Sequence, residues 1–437
     1  MGAKDNFLNS SLGIVPPRTR LNPIALTPYV WLEERGETDG AEGLWRIHDK
    51  LYDFTSFINY HPGGSDWIVL TKGTDITEAF ESHHISHAPE EMLQKYYIKP
   101  AQAKRNFPFT FHEDGFYRTL KREIRKSLKT IPKELYPTSD MYSDIMFTGL
   151  LIFSLLSVRY WNYVLAVIAG VILGLLTVAG HNYIHRKSSF RMFYFQFSLL
   201  QVRDWRVSHV LSHHLYTNTV IDLEICMVEP FLNFLPIKKI FHGYLSVVMA
   251  PFVWLFTFQV LFLLRLVNYK TIKPISLSGL LLPICMYIFG TQSLFHTLLL
   301  WEVILSVGSF VFTAIGLNAA HHHPDVFHDG DTPRSLESYD WGLNQLDAVM
   351  DRTDITGSDF LVLTSFGDHA LHHLFPTLDH SLLKHLYPTL EMVTKQFDVH
   401  LRMTSQWGAI LGGFQQLMKI KPNPFPPDLN NKKYLLR

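Results

Sequence analysis

The sequence predicts a small α+β soluble module followed by an all-α integral membrane domain with about four transmembrane helices and a polar cytosolic cap. Two observations carry this prediction. Apolar residues concentrate between about 144 and 317, whereas the first 140 residues have the mixed composition of a soluble segment. The 23 histidines are clustered, and most of the clusters lie outside the apolar runs. A chain of 437 residues is long enough for both parts.

Charge and cysteine content exclude several classes of protein. Lys plus Arg and Asp plus Glu both number 39, so bulk charge gives no reason to expect a nucleic-acid partner. The two cysteines, Cys226 and Cys285, cannot form a disulfide framework or a cysteine-rich zinc site, which suits a reducing compartment.

The chain divides into four parts by composition. Residues 1–43, with Pro16-Pro17, are predicted to form an extended N-terminal tail. Residues 44–100 form a compact module that starts with a strand–turn–strand unit, as the apolar alternation of WRIHDKLYDF indicates. Residues 101–140 are a linker with one helix around 114–129, and 141–437 form the membrane domain.

Five apolar runs lie in the membrane domain. If the histidine clusters meet at one site, an even number of spans must separate them, so one run between the second and third clusters should not cross. The run 243–264 is the candidate, because lysines precede it, Arg265 follows it and Pro251 interrupts it. We therefore predict an interfacial or re-entrant segment at 243–264 and transmembrane spans at about 141–158, 161–180, 275–290 and 294–317.

The N-terminal module contains the motif HPGG at 61–64. A tight Pro-Gly-Gly turn directs the imidazole of His61 to one face of the module, as an axial haem ligand requires. The module resembles the cytochrome b5 family over about residues 44–100, and the motifs that carry the resemblance occur in the family's order: Trp45, Tyr52-Asp53, HPGG, Gly73-Thr74-Asp75 and Phe80.

This resemblance implies a b-type haem that carries one electron at a time between two axial imidazoles. The second ligand should lie on a separate helix more than 20 residues after His61. His84 has the spacing of cytochrome b5 domains that are fused to front-end desaturases, and His83 is the alternative.

Three further histidine clusters have helical spacing, which places imidazoles on one helix face. Eight neutral imidazoles are too many for one catalytic zinc ion and suit a pair of irons. The predicted metal ligands are His181 and His185 in HNYIH, His209, His213 and His214 in HVLSHH, and His369, His372 and His373 in HALHH. No catalytic residue beyond the ligands is predicted.

The patterns HxxxH, HxxxHH and HxxHH resemble membrane fatty-acid desaturases, most closely the branch with a fused cytochrome b5 domain known as front-end desaturases. Other motifs that resemble this branch are Asp340-Trp341, Gln345-Leu346 and HHLFPT with His380. The order of the two domains also resembles the insect proteins called cytochrome b5-related. The resemblance covers about residues 44–395.

The resemblance implies a function, its cofactors and its partners. It implies an oxygen-dependent fatty-acyl desaturase in which the fused haem passes electrons to two non-haem irons. The partners would be a fatty-acyl lipid, O2, membrane lipids and a separate NADH-cytochrome b5 reductase, since the chain has no dinucleotide fingerprint of its own. The implied location is the endoplasmic reticulum membrane, as a multi-pass protein with cytosolic N- and C-termini.

Two residues and one stretch of sequence depart from the front-end pattern. Asn182 stands where that branch usually has Asp, and His369 stands where it usually has Gln. The stretch LNAAHHHPDVFH is similar to an Asn-Ala-Ala-His stretch of acyl-CoA desaturases that supplies a further iron contact. That likeness makes His321 a candidate ninth ligand, with His322 as the alternative.

Three other functions fit parts of the sequence. A fatty-acyl or sphingolipid hydroxylase would use the same histidines and keep oxygen in the product. A membrane-tethered b5 electron-transfer protein with a non-catalytic desaturase body would be expected to lack a ligand, yet all eight histidines are present. A histidine-rich metal transporter would need polar residues inside the spans, which hold little beyond Glu302.

Overall fold

A computed structural model describes residues 10–430 apart from 23–25, 133–134, 136, 188, 230–231, 240 and 269–273. The N-terminal module pairs three short antiparallel strands in the order of the chain, and small helices cover them. Its strands are Trp45–Ile47, Lys50–Tyr52 and Tyr97–Pro100, its α-helices are Ser65–Leu70, Thr77–His83 and Ala88–Met92, and its 3-10 helices are Thr55–Tyr60 and Leu93–Lys95. A core of its own, which includes Trp45 and Phe80, holds the module together.

The N-terminal segment differs from the extended tail that the sequence predicts. It contains a 3-10 helix at Arg18–Leu21 and an α-helix at Pro28–Thr38, which Thr27 caps. Leu12 is buried in the main core, and Arg20 forms a buried ion pair with Glu229 at 2.7 Å. Burial of scattered apolar residues holds this segment against the membrane domain, and such a segment has no period for sequence analysis to detect.

The segment predicted as a linker packs against the membrane domain. Phe107, Phe109 and Phe111 are buried in the main core. The helix Phe116–Ser127 lies close to the predicted 114–129 and packs against the helix Tyr387–Gln396. The segment therefore joins the two parts of the molecule into one packed body.

Within the part of the chain that the structure describes, three helices are long and apolar enough to cross a membrane: Thr138–Tyr160, Tyr163–Ile184 and Leu294–Leu317. A fourth candidate is the pair Phe241–Trp254 and Thr257–Asn268, which is bent by 95°. Such a bend is found in a broken span or in a re-entrant loop. The latter is one form of the interfacial or re-entrant segment predicted for 243–264.

The bend is stabilised by the neighbouring helix Leu294–Leu317. The Ser309 hydroxyl donates to the carbonyl oxygen of Trp254 at 2.6 Å and accepts from the Phe258 N–H at 3.2 Å. The Gln259 amide donates to Glu302 at 2.8 Å, which gives the intramembrane carboxylate a partner. Backbone groups freed inside an apolar layer need such partners, so these contacts explain why the chain can break at this point.

The predicted span 275–290 is less regular than the sequence suggests. It consists of a 3-10 helix, Pro274–Leu280, and a short α-helix, Leu281–Phe289. The turn at 290–293 lies beside the turn that joins Thr138–Tyr160 to Tyr163–Ile184. The Thr291 hydroxyl there donates to the carbonyl oxygen of Arg159 at 3.2 Å. Both turns are therefore at the end of the bundle opposite to His181, which lies near the other end of its helix.

Two glycines allow close packing of Tyr163–Ile184 on Leu294–Leu317. A Cβ atom on Gly170 would lie 2.6 Å from the Val307 Cβ, and a Cβ atom on Gly174 would lie 2.6 Å from the Val311 Cβ. Small residues four apart are a common way for membrane helices to approach each other.

Gly174→Ala is expected to destabilise the protein by about 1–3 kcal/mol, because the added methyl group overpacks this interface. Gly149→Ala is the matched control, since its Cβ would meet only the end of the Ile172 side chain at an ordinary 3.5 Å. Both substitutions carry the same gain in helix propensity. The measurement is the thermal unfolding midpoint in detergent, and equal midpoints for the two variants would contradict the prediction.

The remaining polar segments form a layer at the histidine end of the bundle. After the second span come the 3-10 helix Phe190–Ser198, the α-helix Val202–Trp205, the π-helix Arg206–His213 and the α-helix Leu223–Cys226. After the last span come the 3-10 helix Leu336–Ser338, the α-helices Trp341–Asp347, Asp359–Thr364, His369–Leu374, His380–Leu383, Tyr387–Gln396, Gln406–Met418 and Pro427–Asn430, and the paired strands Asp351–Arg352 and Met403–Thr404.

Candidate metal centre and haem site

Two imidazoles face each other in the N-terminal module. The ring centroids of His61 and His84 are 6.1 Å apart. The Nδ1 atom of each ring is hydrogen-bonded to a backbone carbonyl oxygen, that of Gly64 at 2.9 Å and that of Phe80 at 3.0 Å respectively. These bonds leave Nε2 of each ring for a ligand, and a metal with two bonds of about 2 Å fits between the rings. The pair can therefore hold a haem iron from opposite sides.

His83, the alternative haem ligand, has a different environment. Its Nδ1 atom is hydrogen-bonded to the carbonyl oxygen of Ala79 at 3.0 Å, and its ring lies 5.9 Å from that of Trp67. Its Nε2 atom is buried and has no hydrogen-bond partner among the described residues. The structure thus brings His61 together with His84, and the assignment of His84 as the second axial ligand stays a prediction.

The eight box histidines lie together near one end of the bundle, and they sort into two groups. Their Nε2 atoms approach within 2.8 Å between His185 and His181, 3.0 Å between His214 and His209, and 3.0 Å between His372 and His181. Nitrogens that share one metal in adjacent positions at about 2.1 Å lie about 3 Å apart, so this spacing fits a metal ion. We call this set the five-histidine group: His181, His185, His209, His214 and His372.

The other box histidines are joined by His321, the ninth candidate. Its Nε2 atom lies 2.7 Å from that of His369 and 3.0 Å from that of His373. We call this set the four-histidine group: His213, His321, His369 and His373. His322, the alternative, does not join it, since its ring stacks on Phe234 at 3.6 Å.

The second box does not follow the α-helical spacing that the sequence analysis assumes. Arg206–His213 is a π-helix, and the His214 N–H donates to the carbonyl oxygen of His209 five residues earlier, at 2.9 Å. This wider turn brings His209 and His214 into one group and sends His213 to the other. π-Helical turns occur frequently at functional sites.

Most ligand candidates are oriented by a hydrogen bond at Nδ1. The partners are carboxylates for His209 and His213, backbone carbonyl oxygens for His321 and His369, and the Gln345 amide oxygen for His373. Such bonds fix the ring and its tautomer so that Nε2 is free to bind a metal.

Electrostatics favour neutral imidazoles in most of the site. Burial, together with the neighbouring histidines, lowers the pKa of His214, His372 and His373 well below the usual value. His213 differs: burial opposes its charge, but Glu224 and Asp222 raise its pKa to about 9. Neutral imidazole is the form that binds a metal, so most of these histidines can bind one without losing a proton, and His213 is the exception.

Sequence analysis missed two partners of the site. The Glu224 carboxylate lies 2.6 Å from Nδ1 of His209 and 3.6 Å from Nε2 of His213, so it contacts both histidine groups. His380 is buried with its ring 4.7 Å from that of His372, and its Nδ1 atom lies 2.7 Å from the Asn182 amide oxygen. Asn182, noted as a departure from the front-end pattern, thus orients His380. The sequence places His380 in a motif after the third box without giving it a role, whereas Glu224 had no signal beyond its closeness to the second box along the chain.

The fold combines an N-terminal module of the haem-binding type, helices apolar enough to cross a membrane and two groups of histidines that could hold metal ions, and comparison with known families agrees. The model of the cytochrome b5-like heme/steroid binding domain matches residues 32–101. The fatty acid desaturase model matches residues 159–405. The chain therefore belongs to the fatty acid desaturase family and carries a fused cytochrome b5-like domain, as the resemblances in its sequence predict.

Relatives of similar length share both domains. The cytochrome b5-related protein of Drosophila melanogaster is 43% identical over 420 residues, which cover 94% of this chain and 95% of that protein. The probable Delta(5) fatty acid desaturase C of Dictyostelium discoideum is 24% identical and covers 85% of this chain and 90% of its own length. The acyl-lipid (8-3)-desaturase of Mortierella alpina is also 24% identical, with 84% and 90% covered. No solved structure matches the chain.

Proposed function

We propose that the protein is an oxygen-dependent fatty-acyl desaturase whose haem module supplies electrons to two non-haem irons. The observation that carries this proposal is the sorting of nine buried histidines into a group of five and a group of four, each with the nitrogen spacing of a metal site. A single metal could not use nine imidazoles, whereas two irons can.

The residues of the chain would bind, orient and shield the cofactors. His61 and His84 would hold the haem, and the two histidine groups would hold one iron each. The metals would supply the oxygen activation that attack on an unactivated C–H bond requires, which side-chain acid–base chemistry cannot provide. The nine histidines are all buried, so the surrounding protein would keep bulk water from a reactive centre.

A fatty-acyl chain is the substrate class that the architecture supports. The histidine groups lie at the end of apolar helices, where a lipid chain can approach from the membrane. Two relatives are named as desaturases, one of them an acyl-lipid desaturase. Electrons would come from NADH through a separate cytochrome b5 reductase, since the matched domains include none for a dinucleotide.

Expression of the full chain in a host with a simple fatty-acid profile is expected to yield a new lipid that is two hydrogens lighter than its precursor. Mass spectrometry of extracted fatty acids is the measurement. A His372→Ala chain, expressed to the same level, is the control and should give none. A lipid that gains one oxygen atom would instead favour a hydroxylase.

The alternative of a non-catalytic electron-transfer protein makes a different prediction. All eight box histidines and His321 are in place, which argues against it. It would be supported if the protein showed haem but neither non-haem iron nor any new lipid across several lipid supplies.

We also propose that the protein resides in the endoplasmic reticulum membrane with both termini and the histidine groups on the cytosolic side. Tags at the N-terminus, near residue 225 and at the C-terminus are expected to be digested by protease added outside intact vesicles, since the haem module and the histidine layer contact each other. A tag in the turn 290–293 should be protected. Protection of the C-terminal tag would contradict the topology.

A further inference from the structure

The haem module is held against all three histidine boxes. The guanidinium of Arg206 lies over the Trp67 ring at 4.7 Å, and its Nη1 atom is 3.5 Å from the Asp66 carboxylate. Asp66 and Trp67 belong to the helix that follows HPGG, and Arg206 begins the π-helix of the second box. Arg206 is 2% exposed and the Asp66 side chain is 48% exposed, so the contact lies where this interface reaches the surface.

The same contact extends to the first box. The Nε atom of Arg206 lies 3.4 Å from the carbonyl oxygen of Ile184, the residue directly before His185. One buried guanidinium therefore contacts the haem module, the end of the first box and the start of the second. A cation–π contact is stronger when it is removed from water, and it is sensitive to the position of the ring.

The third box is joined to the haem module by Tyr117. Its hydroxyl lies 3.2 Å from the carbonyl oxygen of Glu81 in the haem module and 3.2 Å from that of Leu374 at the end of the third-box helix. The Thr377 hydroxyl lies 3.5 Å from the carbonyl oxygen of His83. The module is thus docked at several points and is not a mobile tethered domain.

His83 lies at the centre of this contact. It is adjacent in sequence to the haem ligand His84, its ring lies 5.9 Å from that of Trp67, and its buried Nε2 atom has no hydrogen-bond partner among the described residues. The His83 ring contacts the Trp67 ring, the Arg206 guanidinium lies over Trp67 at 4.7 Å, and Arg206 contacts Ile184, the residue directly before His185. The haem-ligand candidate His84 and the metal-ligand candidate His185 are therefore linked through these side chains.

We propose that His83, Trp67 and Arg206 form the electron-transfer joint through which the haem delivers electrons to the five-histidine group. This proposal rests on the proposed function. The transfer oxidises the haem iron from ferrous to ferric and reduces one non-haem iron from ferric to ferrous, and no bond forms or breaks. The electron enters from NADH through a reductase. Because tunnelling slows steeply with distance, the three residues act as positioning residues that keep the two centres close.

The test follows electron transfer within the full-length protein, loaded with haem and iron and kept under argon. The oxidised protein is mixed rapidly with less than one electron equivalent of dithionite per chain, and the haem absorbance is recorded. In the wild type, reduced haem should appear and then decay as the electron passes to iron. Arg206→Met and His83→Leu are each expected to slow the decay about tenfold. A loss of about 1.4 kcal/mol of contact free energy lowers the population of the docked arrangement by this factor.

The matched control is Arg203→Met. Arg203 lies one turn before Arg206, and its guanidinium faces the Tyr29 ring at 5.8 Å instead of the haem module. Its decay should equal that of the wild type. In all variants the static haem spectrum and the iron content should be unchanged, which separates the joint from a general structural role. If Arg206→Met loses iron, the decay rates of His83→Leu and Trp67→Leu are compared with that of the wild type instead.

Decay at the wild-type rate in Arg206→Met and His83→Leu, with haem and iron intact, would overturn the joint while leaving the proposed function standing. Reduced haem that persists in the iron-loaded wild type would overturn the joint together with the electron route of the proposed function. Absence of any new lipid despite normal decay would count against the desaturase alone.

Discussion

Replacing His372 by alanine is expected to remove at least half of the non-haem iron and all lipid turnover, while the haem spectrum is retained. His372 lies in the five-histidine group, where its Nε2 atom is 3.0 Å from that of His181. Loss of one imidazole opens the coordination of a metal that the remaining rings hold in fixed positions. The haem ligands belong to a module with its own core, so they should be unaffected.

The measurement is iron per chain by elemental analysis, combined with the haem absorption spectrum and the lipid profile. His385→Ala is the control, because His385 follows the same box but is exposed. It should retain iron and turnover. Wild-type protein with one equivalent of zinc and no non-haem iron would disprove the di-iron proposal, as would full iron content in His372→Ala.

A similar substitution at His213 tests the other group. His213→Ala should lower iron as well, because His213 belongs to the four-histidine group and its ring lies 4.5 Å from that of His321. If each group holds one iron, His372→Ala and His213→Ala should each lose one equivalent when iron is supplied in excess, and the double variant should lose both.

Histidine spacing indicated which histidines the structure brings together, but it did not predict how they sort into two groups. Spacing of three and four residues places imidazoles on one face of an α-helix, and His369 and His373 do fall in one group. The π-helix at Arg206–His213 changes that geometry, and a single sequence has no clear signal for a π-helix. His209 and His213, expected to share a face, therefore contribute to different groups.

Apolar length predicted where the long apolar helices lie. The helices Thr138–Tyr160 and Leu294–Leu317 begin and end within three residues of the predicted runs. The bend near Trp254 and the break at Leu280 depend on partners in other helices, such as Ser309, and therefore lay beyond sequence analysis. The N-terminal segment had no period, so its packing on the membrane domain could not be predicted either.

Replacing His84 by alanine is expected to abolish the low-spin bis-histidine spectrum of the full-length protein, whereas His83→Leu should retain it. The two histidines are adjacent, but only His84 faces His61, at 6.1 Å between rings, with its Nδ1 atom held by the Phe80 carbonyl oxygen. Absorption spectra of the oxidised and reduced protein are the measurement, with His61→Ala as a positive control for haem loss. A normal spectrum in His84→Ala would move the axial bond to His83. That result would also contradict the electron-transfer joint as proposed, in which His84 is the haem ligand and His83 lies next to it.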